Sequence, residues 1–365
     1  MAKLKCLISM QPITDRPELW YSNGYNQNVK FFYDLLELMG HEPTFIAPGD
    51  VPGEQFVVKE KRYRCINQQK VVDDMLHCDI AFEGGVTINA DMRDFLRGAF
   101  GTRIVSVRYG IGLLMDMEQL VHAETMSPGI HVSGADVVWT SPHIAYGLPY
   151  LRTLYRCPSG ISPYIWEPDF ITRRFLANGK PRVRDIYVME PNISVIKNSL
   201  IPMAIIEQVY RSDPGSFGKA MILNGMHFYQ RRYFLDNIAR HLSCMPAERN
   251  KIYFTPRARF DEAFQQPDLL LGHQWGCDLN YLYLEALYAG VPLVHNSDSL
   301  REVGYYYPDF DVDAGRDQCL RALRDYRVEQ AMPQNLAQVR RYSIHNPEVQ
   351  QEYARLIEQV LDTPL

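Results

Sequence analysis

Cysteine pairs of the metal-binding kind are absent from this sequence, although it contains seven cysteines. No two of them form the CxxC spacing that structural zinc sites and redox-active dithiols commonly use. They are scattered and odd in number, which indicates reduced thiols in a core rather than a disulfide framework. We therefore expect a chain without a metal centre in a reducing compartment such as the cytoplasm.

Long apolar runs and an excess of basic charge are also missing. The apolar stretch at residues 6–10 is far shorter than the ~18 apolar residues that a membrane span requires. Lysine and arginine number 38 against 43 aspartates and glutamates, so the net charge of −5 gives no general attraction to nucleic-acid backbones. We expect a soluble protein that is not dedicated to DNA binding, with peripheral contact at the inner face of a membrane left open.

Core-forming residues and aromatic rings are plentiful. The 365 residues are 46% hydrophobic, enough for one large or two ordinary globular domains. The 23 tyrosines outnumber the 16 phenylalanines, and rings that carry a hydroxyl suit the binding of sugars or nucleosides.

Short apolar segments alternate with helical patterns along the whole chain. In the first half this predicts a helix over residues 28–39 and strands at residues 4–10, 43–47, 79–82, 103–107 and 136–140. A polar stretch interrupted by Gly179 and Pro181, residues 169–183, is predicted to be a linker. After it the pattern predicts strands at residues 186–189, 220–224, 251–254, 269–271 and 292–295, with helices at 199–211 and 281–289. Such alternation is typical of α/β folds, and it predicts two Rossmann-like, doubly wound parallel-sheet domains facing a cleft, at residues 1–168 and 184–345.

The most informative segment is residues 275–297, WGCDLNYLYLEALYAGVPLVHNS. Asn280 can cap a helix that is apolar or aromatic on every face, and Gly290 can end it. Glu285 lies in the middle of this helix, where a buried carboxylate is costly without a partner. A pair of ligand hydroxyls and a structural salt bridge to a core arginine are both possible partners.

This segment, with the following SDSLREVG and DAG, resembles the C-terminal signature of retaining GT-B glycosyltransferases of the family 4-like, EX7E type. The resemblance implies that Glu285 is the second glutamate of EX7E, which holds the ribose of a sugar nucleotide. The first glutamate would fall on Cys277, and the adjacent Asp278 is a candidate substitute. In such proteins a C-terminal helix, here residues 346–365, packs back on the N-terminal domain.

The segment MEPNISVIKN, residues 189–198, resembles the loop in which the same family carries an arginine and a lysine that clamp the donor diphosphate. Lys197 matches the lysine, and Asn192 stands in place of the arginine. Arg257 and Arg259 are candidates for the missing positive charge, because a leaving diphosphate needs cations to stabilise it. His273 flanks the same donor site, as does His295.

The first half carries weaker candidates for the same chemistry. Gly24, in the loop before the first helix, resembles the glycine that lets a backbone approach the donor phosphates; an ordinary connection is the alternative. Tyr109 follows a predicted strand and is a candidate cleft residue. Glu83 could bind an acceptor hydroxyl or act as a base, and a plain surface carboxylate is its alternative.

Taken with the resemblance, these residues imply an enzyme that transfers a sugar from a UDP- or GDP-linked donor to a glycan, a lipid-linked glycan or another hydroxyl acceptor, as in polysaccharide biosynthesis. The transfer is expected to be retaining and independent of metal, with Lys197, Glu285, Tyr109 and Glu83 as the catalytic set. No cofactor besides the nucleotide sugar is expected.

Three alternatives remain. A sugar-nucleotide epimerase would use acid and base residues such as Glu83 and Asp278, and a non-catalytic nucleotide- or glycan-binding protein would fit the absent glutamate and arginine. A modified base in phage DNA is a further acceptor, favoured only by a local basic patch made of Lys59, Lys61, Arg62 and Arg64. The acidic triplet Asp309, Asp311 and Asp313 imitates a metal-binding DxD motif, but we interpret it as a surface loop.

Overall fold

The computed structural model describes residues 2–13, 19–20, 24–84, 86–121, 134–176, 183–245 and 250–363. The chain forms two compact units. The first comprises Met1–Glu167 with Tyr342–Leu365, and the second comprises Pro168–Arg341. Each is built around its own sheet and its own buried core.

The first unit contains an eight-stranded sheet in the order β3-β4-β2-β1-β5-β6-β7-β8. All neighbours are parallel except the hairpin of β3 and β4. The strands are β1 (Lys5–Ser9), β2 (Glu42–Ala47), β3 (Gln55–Val58), β4 (Lys61–Asn67), β5 (Ile80–Glu83), β6 (Arg103–Arg108), β7 (Val137–Thr140) and β8 (Ser159–Ile161). Its described α-helices are α1 (Gly24–Leu38), α2 (Gln68–Asp73), α3 (Ala90–Phe100), α4 (Gly112–Val121), α5 (Leu148–Tyr155) and α12 (Pro347–Asp362).

The C-terminal helix α12 belongs to the core of this first unit. Tyr353 is buried, its hydroxyl donates to the Pro163 carbonyl at 2.9 Å, and its ring contacts Phe32 with centroids 5.6 Å apart. The chain thus returns to the first unit after the second is complete.

The second unit contains a six-stranded, fully parallel sheet in the order β11-β10-β9-β12-β13-β14. The strands are β9 (Ile186–Val188), β10 (Ala220–Leu223), β11 (Ile252–Thr255), β12 (Leu269–Leu271), β13 (Leu293–His295) and β14 (Tyr305–Tyr306). The described α-helices are α6 (Leu200–Ser212), α7 (Arg232–Asn237), α8 (Phe260–Ala263), α9 (Tyr281–Ala289), α10 (Val312–Asp325) and α11 (Val328–Arg340). Strands such as β12, with three consecutive buried leucines, are apolar throughout because helices cover both faces of a parallel sheet.

The strand order fixes where a ligand site belongs. In the second sheet the order reverses between β9 and β12, and in the first sheet between β1 and β5. Loops that leave the carboxyl ends of two strands on either side of such a switch point diverge and open a crevice. The loops after β9 and β12 therefore border the expected ligand crevice of the second unit.

Three features differ from the sequence-based predictions. The hairpin of β3 and β4 was not predicted, and α1 begins at Gly24 rather than at residue 28. The described part of the predicted linker lies in the second unit, where the Thr172 backbone N–H donates to Asp261 at 3.0 Å and the Phe175 N–H donates to the Ala289 carbonyl at 2.7 Å. Among the described helices none is long and apolar enough to cross a membrane.

Candidate functional site

The loops after β9 and β12 are tied together by one buried carboxylate. Glu190 lies two residues after the end of β9 and is 1% exposed. Its carboxylate accepts a hydrogen bond from the His273 backbone N–H at 3.2 Å and another from the Gln274 side-chain amide at 2.7 Å. Burial raises the pKa of Glu190 to about 7, although those hydrogen bonds and the charge of Lys197 act to lower it. Glu190 thus sets the relative position of both loops at the switch point.

His273 lies at the carboxyl end of β12 and is buried. Its Nδ1 is 3.0 Å from the Tyr307 hydroxyl, and that hydroxyl donates to the Gly272 carbonyl at 3.0 Å. Burial lowers the pKa of His273 to about 4, so the ring is neutral at physiological pH. Its Nε2 is buried and has no hydrogen-bond partner in the described structure.

Lys197 sits in the loop between β9 and α6. A hydrogen bond from the Asn192 N–H to the Lys197 carbonyl at 3.1 Å closes this loop. A second bond, from the Trp275 N–H to the Ile196 carbonyl at 3.1 Å, holds it to the loop after β12. The half-buried Lys197 side chain lies beside the Cys277 thiol, whose pKa is raised by burial and lowered by the Lys197 charge. The structure therefore brings Lys197, Cys277 and Glu190 into one electrostatic group.

Glu285 lies in the middle of α9. Asn280 caps the start of this helix by accepting a hydrogen bond from the Leu282 N–H at 3.2 Å, and Gly290, in a left-handed conformation, ends it. The side chain is half-buried and, within the described part of the chain, makes neither a hydrogen bond nor an ion pair. Burial raises its pKa to about 8, and the negative charge of Asp261 adds to the rise. The structural salt bridge that the sequence left open is therefore not formed among the described residues, and at neutral pH the group is mostly protonated until hydrogen-bond donors favour the carboxylate form.

Three other predicted site residues are occupied by protein contacts. The Asn192 amide donates to the Glu190 and Leu223 carbonyls at 3.0 and 3.2 Å and accepts from the Ser199 N–H at 2.8 Å. Asp278 accepts from the Ser299 N–H and hydroxyl at 2.8 and 2.6 Å, and Asn280 is the helix cap. Because their polar atoms already bind the protein, these residues shape the loops.

The two candidate arginines follow β11 at some distance along the chain from the loops described above. Arg257 is exposed. The Arg259 guanidinium donates to one Glu262 carboxylate oxygen at 2.8 Å, and the Arg259 backbone N–H donates to the other oxygen at 2.8 Å. A role for Arg259 as the missing positive charge would therefore require it to leave this ion pair.

Two large rings stand exposed at the same edge of the second sheet. Trp275 is 50% and Phe310 48% exposed, and their ring centroids are 6.0 Å apart. Phe310 also packs on the His273 ring at 4.8 Å. By contrast, His295 on β13 is part of the core, since its Nδ1 accepts from the Ser297 N–H at 3.1 Å and its Nε2 lies 2.9 Å from the Val303 carbonyl.

In the first unit, the predicted residues lie around the carboxyl ends of β1, β5 and β6. Glu83 is 4% exposed and pairs with Arg93 at 3.4 Å, so the alternative of a surface carboxylate was wrong. Burial raises its pKa against the lowering by Arg93. Tyr109 packs edge-to-face on Tyr25 at 6.0 Å, next to Gly24, which is the first residue of α1.

The acidic triplet is held by local structure. Asp311 caps α10 through the Ala314 N–H at 2.9 Å, and Asp313 binds Arg316 at 2.9 Å. No group of three or more metal-ligating side chains occurs among the described residues.

Comparison with protein families shows which family the chain belongs to. Residues 8–357 match the family DUF2827, described as a protein of unknown function. The chain belongs to this family. The comparison with curated proteins finds no match.

The fold of this DUF2827 protein is the GT-B fold. It is similar to a trehalose-6-phosphate synthase at 11% identity, with a TM-score of 0.63 over 98% of this chain and 99% of that chain. A sucrose-phosphate synthase from Thermosynechococcus elongatus is similar at 13% identity, with a TM-score of 0.62 over 100% of both chains. An alpha-glucosyltransferase in complex with UDP-glucose and DNA containing an abasic site is similar at 11% identity, with a TM-score of 0.57 over 98% of this chain and 100% of that chain.

Sequence reasoning missed Glu190, Gln274 and Tyr307 in the DUF2827 protein. A glutamate directly after a predicted buried strand was the available signal for Glu190. Gln274 and Tyr307 carry no such signal, because their roles depend on which strands become neighbours in the sheet.

Proposed function

We propose that this protein transfers a sugar from a nucleotide-sugar donor to a hydroxyl acceptor, without a metal ion and with retention of the anomeric configuration. UDP and GDP are the expected nucleotides, and a glycan or lipid-linked glycan is the expected acceptor. The observation that carries the proposal is that Glu285, to which the sequence resemblance assigns ribose binding, is half-buried and makes neither a hydrogen bond nor an ion pair within the described structure.

The energetics of Glu285 favour a ligand with two adjacent hydroxyls. Two ribose hydroxyls that donate to Glu285 favour its charged form, so ribose binding lowers the pKa that burial has raised, and the charge-assisted hydrogen bonds offset the desolvation of the carboxylate. A protein that kept this arrangement without a ligand would retain only its cost. The site is therefore better explained by binding than by structural support.

Lys197 supplies the charge that the reaction needs. When the bond between sugar and diphosphate breaks, negative charge grows on the leaving diphosphate, and a positioned ammonium stabilises it. In a retaining transfer of this kind the acceptor attacks on the face that the diphosphate leaves, so correct positioning matters more than a strong base.

The alternatives have less support. An epimerase would need free acid and base groups, but Glu83 is paired with Arg93 and Asp278 is bound to Ser299. DNA is a ligand of the alpha-glucosyltransferase named above, but in the local basic patch of this chain Lys61 is already paired with Asp34 and Glu37 at 2.6 Å each. A glycan acceptor therefore remains our proposal.

The test begins with calorimetric titration of the purified protein with UDP, GDP and their common sugar conjugates. We expect one nucleotide series to bind selectively and Lys197→Ala to weaken binding of the diphosphate by about tenfold or more, as for the loss of a charged hydrogen bond. Lys219→Ala is the matched control, because Lys219 is an exposed lysine of the same unit. The anomeric configuration of the product, read by NMR, tests retention.

Failure of every nucleotide to bind would overturn the proposal. Binding without transfer to any of a panel of glycan and lipid-linked acceptors would instead favour the non-catalytic alternative. Loss of transfer on addition of a chelator would overturn the metal-independent mechanism alone.

A further inference from the structure

The hydrogen-bond chain through Tyr307 fixes the tautomer of His273. A tyrosine hydroxyl has one proton, and Tyr307 donates it to the Gly272 carbonyl at 3.0 Å. Towards His273 the Tyr307 oxygen can therefore only accept, so the Nδ1 atom of His273, 3.0 Å away, carries the ring proton. Nε2 is left as a bare acceptor, and it is buried without a partner in the described structure.

Glu190 fixes the orientation of Gln274 in the same way. The Gln274 side-chain Nε2 donates to the Glu190 carboxylate at 2.7 Å, which places the amide oxygen on the other side. That oxygen, Oε1, is also buried without a partner. His273 and Gln274 are 3% and 4% exposed, so neither acceptor can be satisfied by bulk water.

Consecutive residues of one loop thus present two buried acceptors, and the buried Tyr283 hydroxyl lies beside the Gln274 amide as a donor. Buried acceptors without partners are rare in proteins and each costs free energy until a donor reaches it. A sugar hydroxyl is such a donor, whereas a sugar carboxylate offers only acceptors and would meet the Glu190 charge as well. Lys197 is the positive charge nearest to Glu190 in this loop pair, and in the proposed function it faces the diphosphate.

The exposed rings at the same edge are consistent with a sugar. Trp275 follows Gln274 directly, and Phe310 contacts the His273 ring at 4.8 Å. Exposed aromatic rings beside fixed polar groups suit the apolar face of a pyranose, whose hydroxyls project from its rim.

We propose that His273 and Gln274, oriented by Tyr307 and Glu190, form a hydroxyl-reading pair that selects a neutral, fully hydroxylated donor sugar over a sugar acid. This inference rests on the proposed function and names the donor class. Glu190 and Tyr307 act through their neighbours and are positioning residues.

The test compares ligands that share one nucleotide: UDP, UDP-glucose and UDP-glucuronic acid, with GDP, GDP-mannose and GDP-mannuronic acid as the second series. We expect the wild type to bind the neutral sugar nucleotide about tenfold more tightly than the acid. His273→Asn retains an amide N–H that can donate to Tyr307 but removes Nε2, so it should erase this preference and leave affinity for the free diphosphate unchanged within about twofold. His273→Gln, whose amide oxygen can reach the position of Nε2, should restore part of the preference.

Gln274→Met provides a second variant of similar shape without the acceptor, and it keeps the proposal testable if His273→Asn does not fold. His241→Asn, an exposed histidine of the same unit, is the matched control. Equal affinity for neutral and acidic sugars in the wild type would overturn the inference, and so would equal weakening of the diphosphate and its sugar conjugate in the variants. Absence of any binding by UDP or GDP would instead overturn the proposed function and this inference with it.

Discussion

Replacing Glu285 by glutamine should make the protein more stable in alkaline solution while weakening its binding of nucleotides. Glutamine has the shape of glutamate but never ionises. The native carboxylate has no hydrogen-bond or ion-pair partner within the described structure, and burial raises its pKa from the ordinary 4.5 to about 8. The substitution therefore removes a desolvated charge and also removes the group proposed to hold ribose.

The sign and size of the stability change follow from this pKa. Because the folded-state pKa of Glu285 is raised, its contribution to stability is fully present below pH 4.5 and is lost as the pH rises to about 8. Each unit of pKa difference corresponds to about 1.4 kcal/mol, and because the side chain is only half-buried, screening by solvent reduces the total to about 2 kcal/mol. The variant should match the wild type near pH 4 and exceed it by about 5 °C in Tm at pH 9, given about 2–4 °C per kcal/mol for a unit of this size.

Differential scanning calorimetry at pH 4, 7 and 9 measures the stability change, and titration calorimetry with the preferred nucleotide measures affinity. Glu329→Gln is the matched control, since Glu329 is an exposed glutamate of the same unit. We expect the control to change neither the pH dependence of Tm nor the affinity.

A structural role for Glu285 gives the opposite result. If the carboxylate were paired in the folded protein, Glu285→Gln would lower Tm at every pH above 5, because it would break that pair. Unchanged nucleotide affinity in the variant would refute the assignment of Glu285 to ribose, whatever its effect on stability.

Two further substitutions test the packing that holds the fold. Gly272→Ala should lower the free energy of unfolding by about 1–3 kcal/mol, because the added Cβ would lie 2.4 Å from Tyr283. Gly98→Ala in α3 is the control: a Cβ there meets nothing within 4 Å, so the change should be neutral or stabilising. An equal loss of stability in both variants would refute the steric argument. Tyr353→Phe should cost about 1 kcal/mol by leaving the half-buried Pro163 carbonyl without its donor, and an unchanged Tm would show that the hydroxyl contributes nothing to the attachment of α12.

The sequence was most informative where local rules and burial agree. The bounds of β12 and α9 were predicted as the structure has them, because three leucines mark the strand while Asn280 and Gly290 mark the ends of the helix. The alternation of strands and helices was likewise enough to predict two doubly wound sheets. These features depend on neighbours in the chain, which the sequence shows directly.

The missed features depend on long-range contacts or on unusual local chemistry. The hairpin of β3 and β4 turns at Lys59, which adopts a left-handed φ of 55° without the glycine or asparagine that normally announces such a turn. Glu83 was open to interpretation as a surface residue, because its burial depends on Arg93 in a helix that follows a further loop. Neither the partner of Lys197 nor that of Gln274 could be predicted without the strand order.

The strand order also determines what surrounds Cys277, the residue that the resemblance aligns with the first glutamate of EX7E. A glutamate at position 277 would lie beside Lys197, as the Cys277 thiol does now. In this chain the buried Glu190 follows the neighbouring strand β9. Its carboxylate is close enough to Lys197 for the lysine charge to lower the pKa of Glu190, and the Glu190 charge in turn raises the pKa of Cys277. An anionic neighbour of Lys197 is thus present although position 277 is neutral. The adjacency of β9 and β12 is what brings Glu190 close to both Lys197 and Cys277.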